Sequence, residues 1–155
     1  MSQELFRHTL ATLAYRAAKA LRGAPPEFAN YRADATSRTP VQILAHMGDL
    51  FDWALSIANG NQKWHNAEPL PWDQEVARFF AALEAFDARV ASAEPLAAPE
   101  EKLFQGPVAD AINHVGQLAM LRRMAGCSMG GENYFVADIT VGQVGLVLAA
   151  AKKVF

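Results

Sequence analysis

Apolar residues recur every three to four positions through four long stretches of this 155-residue chain, and glycine or proline interrupts the pattern between them. That spacing gives each stretch one apolar face when it coils as a helix, and such a face must be covered by another element. The first helix is expected from about Gln3 to Arg22, with Phe6, Leu10, Leu13, Ala17, Ala20 and Leu21 on its stripe; Gly23 and Pro25-Pro26 stop it. The second has the clearest start in the chain. Thr39-Pro40-Val41-Gln42 combines a capping box with proline at the first helical position, and the helix should end near Gly60.

The third helix is expected from near Pro71-Trp72-Asp73 to about Ala93, where Val76, Phe79, Phe80, Leu83, Phe86 and Val90 make a wide core stripe. Pro95 to Pro99 break it, an acidic Glu100-Glu101 turn follows, and the fourth helix is expected from Gly106-Pro107 to Gly126. Beyond Gly126 the character changes. Ser128 to Glu132 is a glycine-rich loop, and Tyr134 to Ile139 reads as extended. Thr140-Val141-Gly142-Gln143 offers a cap for a short helix that Gly142 and Gly145 weaken. The tail over 127–155 thus stays open between irregular structure and a short helix. The expectation is one all-α domain over 1–155, a four-helix bundle with an irregular C-terminal extension.

Chemistry concentrates on two of these helices. Asp110 and His114 are four residues apart, so on a helix they lie one above the other. Their face continues through Gln117, Leu121 and Met124. On the second helix His46 keeps similar company, with Ile43, Leu50, Trp53 and Ile57 within about 60° of it. Three potential metal ligands therefore point inward from two helices, where they need each other, hydrogen-bond partners or an ion. Two histidines and a carboxylate suit zinc, nickel or iron, and three protein ligands leave positions open for water or substrate. The bundle's di-iron variant would need Glu-x-x-His pairs, which are absent, so only a mononuclear site fits. The plain alternative is a hydrogen-bonded core cluster.

Other polar residues weigh less. Gln117, one turn beyond His114, either orients a bound water or substrate, as a catalytic group, or only hydrogen-bonds across the bundle. Asp49 is a base or supporting candidate about 60° off the His46 face. His65, in the loop from Asn61 to Pro71, and His8, on the polar side of the first helix, read as solvated. Cys127 reads as a passive small residue, and a lone cysteine excludes an intramolecular disulfide.

Composition bounds the partners. A net charge of −2 with dispersed Lys and Arg gives no footprint for nucleic acid. No apolar run reaches the length of a membrane span, and Met1-Ser2-Gln3-Glu4 shows no signal peptide, so a cytoplasmic location is expected. Hydrophobic residues make up 52% of the chain, more than such a bundle needs. The fourth helix also carries a second stripe of Val108, Ile112, Val115 and Ala119, which cannot share the Asp110/His114 direction. A homodimer is expected, with the apolar tail from Val144 to Phe155 contributing.

The run from Thr39 through His46 to Met47, taken with His114-Val115-Gly116-Gln117-Leu118-Ala119-Met120-Leu121-Arg122, resembles the DinB-like superfamily of small bacterial helical bundles. The resemblance extends over nearly the whole chain in length and helix order, and His-x-Gly-Gln-Leu is its most specific part. It implies a divalent metal held by one histidine of the second helix and a His-x3-His pair of the fourth. Those positions here are His46, Asp110 and His114, with Asp110 standing where the family has histidine. A carboxylate can still ligate zinc, iron or nickel, while affinity and metal preference change. The resemblance further implies thiol-dependent transferases and isomerases that act with low-molecular-weight thiols, and an open-coordinated metal can equally acidify a water for hydrolysis, so a metal-dependent transferase or hydrolase of a small molecule is expected. Against it stands a non-catalytic dimeric bundle whose His/Asp cluster is a relict without metal.

Overall fold

The computed structural model describes residues 1–146 and 150–155. It is an all-α bundle. Helix α1 spans Gln3–Leu21, α2 Pro40–Ala58, α3 Trp72–Ala91, α4 Glu100–Leu103 and α5 Ala109–Met124, with a π-helical turn at Phe104–Val108 joining the last two. The long helices form a ring: α3 packs on both α1 and α2, and α5 packs on both from the opposite side. α2 and α5 are therefore neighbours, which is what brings His46 beside Asp110 and His114.

Each helix forms where its local chemistry directs. Ser2 caps α1 by accepting from Leu5 N. At α2 both halves of the expected capping box are present, with Thr39 Oγ1 accepting from Gln42 N and Gln42 Oε1 accepting from Thr39 N at 2.9 Å. The third-helix stripe supplies the middle of the core, where Phe6, Phe51, Phe79 and Phe86 are fully buried. Their rings meet at 5.9–6.1 Å, the separation of edge-on and tilted aromatic pairs. Arginines close the periphery. Arg7 grips Asp87 with two hydrogen bonds of 2.9 and 2.7 Å, locking α1 to α3. Buried Arg122 donates to the carbonyls of Ala20, Arg22 and Cys127, satisfying the open end of α1.

Two expectations need correction. The fourth helical segment starts at Glu100, not at Gly106-Pro107, because Pro99 caps a first turn that carries Glu100 and Glu101. Pro107, which has no N–H to donate, is accommodated by the π turn rather than by a break. Nor is Tyr134 to Ile139 extended throughout. Tyr134–Val136 coils into a 3-10 turn capped by Asn133, and the described tail contains one isolated bridge, between Glu132 and Val154. Thr140 to Gln143 closes a turn at Gly142, whose φ of 89° suits glycine, and no helix follows among the described residues. Residues 147–149 of the apolar tail lie outside the described residues.

The second stripe of the fourth helix is largely covered by the chain itself. Val108 and Val115 are buried, whereas Ile112 is 38% exposed. Among the described residues no helix is long and apolar enough to cross a membrane.

Candidate metal centre

His46 comes from the middle of α2, and Asp110 and His114 from the first two turns of α5. His46 Nε2 lies 3.2 Å from Asp110 Oδ2, and His114 Nε2 lies 3.5 Å from Asp110 Oδ1. The imidazole rings stand edge to face with centroids 4.9 Å apart. One donor atom from each residue fits within 4.8 Å of the other two. Ligands held about 2.0–2.2 Å from one tetrahedral ion are separated by roughly 3.4 Å, so the donors stand close to a coordinating arrangement.

The cluster is less enclosed than the helical pattern implied. The Asp110 side chain is 45% exposed, and Met124, expected on the inward face, is 52% exposed. The face turns out of the bundle at its α2/α5 edge, leaving the donors open to solute from one side. That geometry suits a centre with free coordination positions better than a closed structural one.

Gln117 fixes the chemistry of His114. Its Oε1 lies 2.7 Å from His114 Nδ1, a bond within α5 rather than across the bundle. The Nδ1–H is the donor, so in the neutral ring Nε2 carries the lone pair that faces Asp110 Oδ1. Two lone-pair-bearing atoms at 3.5 Å make no hydrogen bond and call for a positive charge, a proton or a metal ion.

Trp64, from the loop between α2 and α3, packs edge-on against His46 at 5.7 Å and against Trp53 at the same distance. That contact was not legible in the sequence. The loop carrying it is tied down by Asp49, Glu75 and Arg78. Asp49 Oδ2 accepts from Ala67 N at 3.0 Å, Glu75 Oε2 from Leu70 N at 2.8 Å and Ser56 Oγ from Lys63 N at 3.0 Å. Arg78 joins the acids, donating to Asp49, to Asp52 at 3.1 Å and to Glu75 at 2.8 Å. Burial works against its charge, but the hydrogen bonds with Glu75 and Asp49 outweigh that and hold the guanidinium more firmly protonated than usual.

Asp49 thus supports the loop and stands apart from the His46 group. His65 is half exposed, with Nε2 3.4 Å from Asp49 Oδ1 and 3.9 Å from Asp52 Oδ2. Asp49, Asp52 and His65 could by spacing hold an ion. The Arg78 guanidinium already supplies the cation there. His8 is exposed, and free Cys127 is partly buried, its carbonyl engaged by Arg122. In comparisons with known proteins, no family model, curated protein or solved structure matches the chain.

Proposed function

We propose that the protein is a cytoplasmic, DinB-like metal-dependent enzyme whose mononuclear centre uses His46, Asp110 and His114. The observation that carries this reading is the Gln117–His114–Asp110 arrangement, which holds His114 Nδ1 on Gln117 Oε1 and leaves Nε2 facing a carboxylate oxygen 3.5 Å away. The donor set of two imidazoles and one carboxylate fits zinc, nickel or iron. Held by these residues, such an ion would supply the acidity that lets a bound thiol or water lose its proton near neutral pH.

The chain's own groups then have distinct tasks. Gln117 is a positioning residue that keeps His114 in one tautomer. Trp64 shields one side of His46 from water, and Asp110 supplies the negative charge that favours a divalent cation. The reaction class we infer is thiol-dependent transfer, or hydrolysis, of a small molecule. A second reading is a metal-free hydrogen-bonded cluster in a non-catalytic protein, favoured by the 3.2 Å contact of His46 with Asp110, which needs no metal.

Metal analysis of protein purified without an affinity tag separates the two. About one equivalent of zinc, nickel or iron, lost in His114→Ala, is the expected result. Metal-free protein that also fails to take up added zinc overturns the enzyme reading.

A further inference from the structure

His114 forms part of the wall of a cleft of about 640 Å³, a volume suited to a small organic ligand. Its apolar lining comes from Ile43, Met120 and Leu121, and its amides from Asn113 and Gln117. One formal cation lines it, Arg38, and no carboxylate does. Arg38 makes no hydrogen bond or ion pair among the described residues, unlike its neighbour Arg32, which donates to the Ser37 carbonyl at 3.3 Å.

The backbone that presents Arg38 is braced on both sides. Before it, Asp34 Oδ1 accepts from Thr36 N at 2.7 Å, from Ser37 N at 2.8 Å and from Thr36 Oγ1 at 3.0 Å. After it, Thr39 is fixed by the α2 capping box. An unpaired guanidinium on a fixed backbone, beside an apolar wall, is a fork for a planar anion. The absence of any second cation in the lining favours a singly charged carboxylate over a dianionic phosphate.

We propose that the cleft takes a small amphipathic carboxylate. Its carboxylate pairs with Arg38 beside Ser37, and its apolar body lies on Ile43, Met120 and Leu121. Its far end, bearing the thiol or carbonyl that reacts, reaches His114. Only that last assignment rests on the metal-enzyme reading; the carboxylate anchor does not.

The anchor is tested on metal-free protein by following the Met120 methyl resonance, assigned with Met120→Leu, during titration with hexanoate and with hexan-1-ol. Hexanoate should saturate at about tenfold lower concentration, and Arg38→Gln should remove that advantage while leaving the hexanol response in place. Equal responses, no response, or an advantage that survives Arg38→Gln overturns the proposal. The reacting end is tested on cobalt-loaded protein, where 3-mercaptopropionate should give the thiolate charge-transfer band at lower concentration than 2-mercaptoethanol. A protein that prefers hexanoate yet takes up no cobalt keeps the anchor and loses the metal reading. One that takes up cobalt but shows no carboxylate preference keeps the metal and loses the anchor.

Discussion

Gln117 Oε1 accepts from His114 Nδ1 at 2.7 Å, and this one bond divides the work of the imidazole between its two nitrogens. On the proposed metal reading, removing the ring removes a ligand, whereas removing the amide only loosens the ring's orientation. His114→Ala should therefore abolish zinc retention against a chelator. Gln117→Ala should weaken it by about 10–100-fold, the usual cost of losing a residue that orients a ligand. Equal losses would sink this division of roles. Asp110→His is the inverse test, and a gain in zinc retention would mark aspartate as the weaker donor of the pair.

Gly48 makes room for Arg78. A Cβ at position 48 would lie 2.6 Å from Arg78 Nη1, so any side chain there pushes the guanidinium away. The arginine tip could swing aside at little steric cost, but it would abandon Asp49 and Glu75, both buried. Gly48→Ala should accordingly destabilise by about 1–3 kcal/mol, although alanine is the better helix former by about 1 kcal/mol. Arg78→Ala, which leaves the acids buried and uncompensated, should cost about 3–5 kcal/mol. Urea unfolding reads the stability, and a change in tryptophan emission reads the release of Trp64. Native stability in Gly48→Ala would show that the cluster carries little.

Much of the bundle was legible because α1, α2 and α3 each bury an apolar stripe of helical spacing and carry their own stop signals. The α2 start is purely local, written in Thr39 and Gln42. Asp110 and His114 were equally readable, as an i, i+4 pair on one helix. What escaped depends on contacts distant in sequence. Arg78 reaches Asp49 across 29 positions, and nothing in the spacing announces it except the glycine at 48, whose need appears only once α3 is in place. Tyr134 to Ile139 has the residue types of a strand but no partner strand among the described residues, so the local 3-10 turn prevails. Pro107 read as a helix start because a π turn leaves no compositional trace.

The attachment of the tail should depend on pH. Buried Glu132 accepts from Tyr15 Oη at 2.6 Å and from Lys19 Nζ at 2.8 Å. Burial pushes its carboxyl up, but the bonds from Lys19 and Tyr15 prevail and hold it below the usual carboxylate range. A depressed carboxyl contributes stability that is present above about pH 4.5 and lost as pH falls further. Tyr15 is pushed up to about 12 by burial and by Glu132, so its contribution is complete below pH 10 and lost as pH rises through about 12. The stability gap between native protein and Glu132→Gln, from urea unfolding, should shrink as the solution is acidified below pH 4.5. A gap constant from pH 7 to pH 3 contradicts the pairing.

The remaining exposed apolar surface leads to a prediction about assembly. Val108 and Val115 are covered within the chain, but Ile112 is 38% exposed beside the α1/α5 groove. Phe135, next to groove-lining Tyr134, is 95% exposed. Solitary apolar residues at a surface are ordinary, whereas an aromatic ring beside an apolar groove of about 520 Å³ can fill the same groove of a second copy. A two-fold contact of that kind buries both Phe135 rings and leaves open the Arg38 cleft, which has only Gly116 in common with this groove. We therefore expect a homodimer through this face. Light scattering coupled to size exclusion at micromolar concentration should give the mass of two chains, and Phe135→Asp should return it to one. A native mass of one chain means that the bundle and its tail already satisfy their own apolar surface, and the dimer is then wrong.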